Sequence, residues 1–301
     1  MYSSITKNKR NSWLLVGCFV ILITILGWVF AQAFGESWFL YGALIFSLGY
    51  TFISYFYSDK MILAVSGAKE IKKKDAPELY RLVENLSITA GLPMPKVYII
   101  QDSAPNAFAT GRDPQHAIVA VTTGLMDKLE KVELEGVIAH ELSHVGNYDI
   151  RLMSLVVVLV SVVALLSDWF LRMTIWGRDD DSNGNSQFQM IMLAAGIALA
   201  ILAPIIGSML QLAVSRKREY LADASGALLT RYPEGLARAL EKIEKDTEPL
   251  EEANKATANL YIINPLRSNI KGGRSWFAGL FSTHPPTAER IKRLREMGTK
   301  A

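Results

Sequence analysis

One cysteine in 301 residues leaves this chain without a disulfide framework or a thiolate metal site. Cys18 sits inside an apolar run, where its ordinary reading is a small buried side chain. Charge is also scarce: 20% of residues are Asp, Glu, Lys or Arg, and the formal net charge is +3. That balance gives no basic stripe for nucleic acid, and no RNA- or DNA-binding motif is present. Half of the residues are hydrophobic and the mean hydropathy is +0.20, which points to a lipid bilayer as partner.

The apolar residues fall in runs. Trp13 to Phe34 is uncharged and long enough to cross ~30 Å of hydrocarbon as a helix, and Phe39 to Tyr57 follows almost at once. Leu152 to Trp176 is a third candidate, interrupted by Asp168 and Arg172, and Gln187 to Ser215 is a fourth that carries Pro204. The later pair also fits a buried helical hairpin or a re-entrant segment. The first run exceeds the apolar core of a signal peptide and a second span follows it, so an uncleaved anchor is expected. Basic residues flank the runs on one side only: Lys7, Lys9 and Arg10, then Lys60, Lys69 and Lys72 to Lys74, then Arg216 to Arg218. The loop GRDDDSNG between the later runs is acidic. The positive-inside rule then puts both termini and the segment between the hairpins in the cytoplasm of a plasma-membrane protein.

The expected fold is a membrane α-helical protein with four candidate spans in two hairpins and a split cytoplasmic α+β domain. Its parts are residues 1–57 (first hairpin), 58–151 (first polar part), 152–215 (second hairpin) and 216–301 (second polar part). The two polar stretches together match one domain of ordinary size. Asp75-Ala-Pro-Glu78 resembles a capped helix start, with the helix running to Gly91. Val97 to Ile100 reads as a strand, and Asn106 to Thr110 with Ala117 to Thr123 as a hairpin around GRDPQH. From Glu130 the apolar spacing is helical, with Leu134, Val137, Ile138, Leu142 and Val145 on one side. Val214 to Thr230 and Pro233 to Lys245 are also read as helices.

Two of the chain's four histidines lie in VIAHELSHVGNYD, at His140 and His144. Histidines four apart share a helix face and can put two imidazoles on one ion, and Glu141 is placed to reach a water on that ion. His-Glu-x-x-His on a helix therefore supplies two zinc ligands and a general base. Lys128, Glu130, Lys131, Glu133 and Glu135 crowd the helix start, so the motif belongs in water rather than within a span. A third ligand is needed. A histidine six residues beyond the second is excluded, because that position is Ile150. A glutamate on a later helix remains, and SRKREYLADASGA supplies Glu219 for the metal with Asp223 one turn on, able to accept an imidazole N–H. Asn147 and Asp149 follow the motif without a role that spacing alone assigns. His116, in the hairpin turn, reads as an ordinary surface residue.

These residues resemble the HtpX-type integral-membrane zinc endopeptidases, relatives of the eukaryotic CAAX prenyl protease. The likeness runs through NAFATG at Asn106 to Gly111, VTTGL at Val121 to Leu125, HELSH at His140 to His144, SRKREYLAD at Ser215 to Asp223 and STHPPTAERI at Ser282 to Ile291. It implies a gluzincin fold with one Zn2+ per chain, acting on unfolded or damaged membrane proteins in quality control. It also implies that His284 and Arg290 face the site, where donors would steady a developing oxyanion. A protease of this kind grips an extended peptide, and backbone pairing with a sheet edge does so without demanding a sequence. Asn106, Ala107, Phe108 and Ala109 form the candidate edge, between Pro105 and Gly111. Two alternatives are a prenyl-protein endoprotease, for which the spans are few, and a non-catalytic membrane scaffold or chaperone with a structural zinc, which would not need Glu141.

Overall fold

The computed structural model describes residues 2–176, 190–199, 216–246, 248, 250, 260–263 and 285–299. Two long helices, α1 (Tyr2–Phe34) and α2 (Trp38–Val65), form the N-terminal hairpin. After a short strand β1 (Lys69–Glu70) come α3 (Pro77–Ala90), β2 (Lys96–Ile100), β3 (Ala107–Thr110) and β4 (Ile118–Thr122). Then follow α4 (Thr123–Lys128), α5 (Lys131–Gly146), α6 (Asp149–Trp176), α7 (Met190–Leu199), α8 (Arg216–Thr230), α9 (Pro233–Lys245) and α10 (Thr287–Gly298).

Three helical stretches among the described residues are long and apolar enough to cross a membrane: Ile5–Phe34, Trp38–Val65 and Asp149–Arg172. Their outer faces carry Trp13, Ile21, Trp28, Ile45, Phe52 and Leu165, all exposed, as a lipid solvent permits. Cys18 lies on this outer face as well, not in the interior as its residue type suggested. Leu15, Phe19, Ile23 and Phe30 of α1 pack instead against Leu155, Leu159 and Val163 of α6 and Met192 and Leu199 of α7. Of the fourth apolar run, residues 190–199 are helical and the rest lies outside the described residues.

The sheet runs β1-β2-β4-β3, with β2 and β4 parallel and both outer pairs antiparallel. Both faces are covered at β3 and β4, which are buried on both sides rather than alternating, while the short β1 is exposed. One face packs against Ile62 of α2 and Met153 and Val157 of α6 through Ile100, Phe108 and Ala120. On the other, Val97, Ala107, Ala109, Val119 and Val121 meet α3, α5 and α9. That second core also takes in Ala227, Leu236, Leu240 and Leu294, so the polar stretches on either side of the apolar α6 and α7 share one interior.

Helix α5 is central to that interior. Leu134, Val137, Ile138, Leu142 and Val145 are all buried there, as their spacing requires, and truncating one such leucine to alanine typically costs roughly 2–5 kcal/mol. Its start is tied by the Glu133 carboxylate, which accepts the Glu130 N–H at 2.8 Å and the Lys242 ammonium of α9 at 2.6 Å. Helix α3 begins differently from expectation: Ala76 is its N-cap, and Asp75 instead accepts the Lys72 N–H at 2.8 Å. Pro77, the first helical residue, lacks one of the N–H groups that a helix start leaves unpaired.

Candidate metal centre

His140 and His144 stand on adjacent turns of α5, and Glu219 reaches them from the first turn of α8. One donor atom from each lies within 4.8 Å of the others. The Nε2 atoms of the two histidines are 3.2 Å apart, and Glu219 oxygens lie 3.7 Å from His140 Nε2 and 3.5 Å from His144 Nε2. Close approach of the helices makes this possible. A Cβ on Gly226 of α8 would fall 3.0 Å from the His140 backbone nitrogen, and one on Gly136 of α5 would fall 2.7 Å from that of Leu236 in α9. All three side chains are buried. Two imidazoles and one carboxylate converging in a buried site fit a divalent metal of the zinc type.

Each histidine has its own carboxylate behind it. Asp223 lies 2.9 Å from His140 Nδ1, and Asp149 lies 3.1 Å from His144 Nδ1. An ionised carboxylate only accepts, so each Nδ1 carries a proton and each Nε2 is turned toward the site, where it can bind metal once unprotonated. Asp149 is the residue whose role the sequence left open; the hint was an acid five positions beyond the second histidine, at the next helix start.

Arg290 of α10 is 1% exposed and forks onto Asp223, with Nε at 2.9 Å and Nη2 at 2.7 Å from its two oxygens. Its Nη1 donates to the Ile262 carbonyl at 3.0 Å and stands 3.7 Å from Glu219. These contacts set the Arg290 guanidinium behind Asp223, with Nη2 3.5 Å from the His140 ring nitrogens. His284 lies outside the described residues. His116 is a surface residue, bonded through Nδ1 to Asp113 at 2.7 Å.

Charge follows these contacts. Burial lowers the His140 pKa, with the Arg290 and His144 charges acting the same way against the pull of Asp223, so this imidazole is neutral. Burial disfavours the Asp223 anion too, yet Arg290 and the His140 N–H outweigh it and hold its carboxyl well below the usual range. For His144 burial opposes charge, but the Asp149 bond and the carboxylates of Glu219, Asp149 and Glu141 push its pKa up to about 9. Burial raises Glu141 to about 8, against the His144 charge and a hydrogen bond from the Ala109 backbone. A base near neutrality suits proton shuttling.

The candidate edge strand is at the sheet's edge, as β3, but less of it is open than expected. Thr122 N–H donates to the Asn106 carbonyl, so Asn106, Phe108 and Thr110 turn their backbone groups toward β4 while Ala107 and Ala109 turn theirs outward. The Ala107 carbonyl accepts the Ile262 N–H at 3.0 Å, and the Asn106 side chain donates to the Ile263 carbonyl at 2.9 Å. Ala109 is the outward position whose N–H meets Glu141.

Residues 73–298 match Peptidase family M48. The chain belongs to that family. A curated relative named Protease HtpX homolog, from Tropheryma whipplei (strain Twist), is 50% identical over 300 residues, covering 100% of this chain and 99% of that one. Proteins of the same name from Dictyoglomus thermophilum and Ligilactobacillus salivarius are 46% and 43% identical, each across 99% of this chain and across 95% and 100% of their own lengths. The crystal structure of S. mikatae Ste24p shares the fold, with a TM-score of 0.52 at 19% identity, over 98% of this chain and 67% of that one. With its apolar helices, the chain is thus a multi-pass membrane metalloprotease of the HtpX type, and His140, His144 and Glu219 form a possible metal-binding site.

Proposed function

We propose that this protein is a zinc-dependent endopeptidase that degrades unfolded or damaged membrane proteins, a quality-control role. The observation that carries the reading is the buried His140, His144 and Glu219 cluster with Glu141 beside it and bonded to the outward Ala109 N–H. His140, His144 and Glu219 would hold the ion. When bound, zinc acidifies water and polarises a carbonyl. Glu141 takes the proton of the attacking water and returns it to the departing amine. Asp223 and Asp149 keep the imidazoles in the ligating tautomer, and Arg290 fixes Asp223. The outward edge of β3 around Ala109, beside Glu141, would pair with an extended substrate.

The proposed topology has residues 58–151 and 216–301 as one catalytic domain on the cytoplasmic side of the plasma membrane, with two hairpins, 1–57 and 152–215, crossing it. The one-sided basic flanks support this orientation. A reporter fused after Ala301 should read as cytoplasmic, and one in the GRDDDSNG loop as external.

The deciding experiment measures zinc per chain and casein cleavage for wild type and Glu141→Gln. The variant should keep its zinc and lose activity by roughly 10²–10⁴-fold. Near wild-type cleavage by a zinc-loaded Glu141→Gln would remove Glu141 from the chemistry.

A further inference from the structure

The elbow between α5 and α6, Asn147 to Asp149, is held from an unexpected direction. Asn8, in the early turns of the N-terminal helix α1, is 1% exposed although its side chain is polar. Its amide donates to the Asn147 carbonyl at 2.9 Å and to Asp149 Oδ1 at 2.6 Å. The same Oδ1 faces Arg218 Nη1 of α8 at 3.4 Å, while Oδ2 is the oxygen on His144 Nδ1. Next to Asn8, the Lys9 ammonium lies 4.3 Å over the Tyr148 ring, and the Arg151 guanidinium lies 5.2 Å from it. Tyr148 has a φ of 60°, a left-handed conformation that non-glycine residues adopt only under constraint.

Packing alone does not ask for this arrangement. A small apolar residue at position 8 would fill space beside the elbow without needing partners, whereas Asn8 buries an amide whose Nδ2 makes both bonds and whose Oδ1 has no hydrogen-bond partner among the described residues, a cost that the Nδ2 contacts must offset. This amide is spent on the carboxylate whose other oxygen orients a histidine of the metal centre. With Oδ1 engaged by Asn8 and Arg218, Asp149 is left one direction for Oδ2, toward His144 Nδ1. That fixes the ring plane and tautomer, and hence the aim of Nε2 at the ion.

We propose that Asn8 is a positioning residue of the metal centre, acting through Asp149 on His144, so that full metal affinity requires the N-terminal membrane helix to be seated against the elbow. The inference rests on the reading of His144 as a ligand. It makes the N-terminal helix part of the catalytic apparatus as well as an anchor, and it ties loading of the site to assembly of the membrane region.

The test uses the full chain in detergent, with Co2+ as the probe, its affinity measured by chelator competition and its ligand geometry by visible absorption. Asn8→Ala should weaken Co2+ binding by up to about 10-fold, the lower end of the range for direct partners of metal-bound histidines because Asn8 acts through Asp149, and alter the spectrum. Asn8→Asp, which sets a carboxylate against Asp149, should weaken it further. Adding Asp149→Asn to Asn8→Asp restores a donor–acceptor pair and should recover part of the loss, which keeps the test decisive if Asn8→Ala does not fold. Leu15→Ala, a lesion of the same helix in the apolar interior, should lower thermal stability and leave Co2+ affinity unchanged. Wild-type affinity and spectrum in Asn8→Ala and Asn8→Asp would overturn the proposal, as would equal weakening in a Leu15→Ala protein whose N-terminal helix remains seated. Failure of the wild type to bind Co2+ would instead sink the metal-site reading on which it stands.

Discussion

Replacing Asp223 by asparagine keeps the shape of the side chain and removes its charge, which isolates what that charge does. In the wild type it neutralises Arg290, whose guanidinium is fully buried and forked onto it at 2.9 and 2.7 Å. Asparagine keeps one acceptor and turns an N–H₂ group toward the remaining guanidinium donors. Removing one partner of a buried ion pair typically costs about 3–5 kcal/mol. Glu219, 3.7 Å from Arg290 Nη1, supplies residual countercharge, so the metal-free variant should lose roughly 2–4 kcal/mol. That is a large part of an ordinary fold's ~5–15 kcal/mol. Binding of a divalent ion takes up the Glu219 charge and leaves Arg290 more exposed to repulsion, so metal affinity should fall as well. The assay is denaturant unfolding of the metal-free protein in detergent, followed by metal titration. Asp223→Leu combined with Arg290→Met removes both charges and should recover most of the metal-free stability without recovering metal affinity. A metal-free Asp223→Asn protein within about 1 kcal/mol of wild type would refute the reasoning, since a buried guanidinium left without its partner cannot be that cheap.

Two further outcomes follow from the site. In the metal-free protein the His144 pKa is raised to about 9, so near neutral pH a proton must leave before the ring can bind metal. Apparent metal affinity should then rise about tenfold per pH unit between roughly pH 7 and 9 and flatten above; the same raised pKa stabilises the metal-free fold fully below 6.5, and that stability is lost as pH rises through 9. A pH-independent affinity over that window, measured by chelator competition, would show that His144 is not charged in the metal-free form. For the edge strand, Ala109→Pro removes the outward N–H that meets Glu141 and should reduce cleavage of unfolded casein while leaving the fold intact; Phe108→Pro interrupts the ladder to β4 and should reduce folded yield. Full activity in a folded, zinc-loaded Ala109→Pro protein would exclude this edge as the substrate's partner.

What could be read from the sequence was whatever a local period or spacing encodes. Helix α9 spans Pro233–Lys245, the limits its proline start and apolar spacing give. The β3–β4 hairpin forms around its Gly/Asp/Pro turn. His140, His144 and Glu219 converge because two are fixed by one helical turn and the third by a small-residue helix that can approach closely. The cap at Asp75 was misread because the side chain has a competing local use, the Lys72 N–H. The two-residue β1 and the short α4 carry too few residues for any period to register. Cys18 was misplaced because a helix in lipid presents apolar side chains both inward and outward, so residue type does not say which face is buried.

Contacts between distant parts of the chain are what sequence reading lacked, and they decide which residues orient the site. Asn8 and Asp149 are 141 residues apart, and Asp223 and Arg290 are 67 apart; no spacing rule joins either pair. Yet both do the same work, holding from behind a carboxylate that faces an imidazole Nδ1. The two supports come from opposite ends of the chain, α1 and α10, and meet at one helix, α5, whose own residues supply two of the three ligands and the base, the third ligand coming from α8. A donor cluster assembled this way is complete only when the N-terminal hairpin, the histidine helix and the C-terminal helix have all docked. Because metal binding adds its free energy to whichever state holds the ligands together, the ion would select the fully assembled protein over any form in which one of these elements is displaced. A membrane protease would gain by this: partially assembled chains would hold metal poorly and so cleave little.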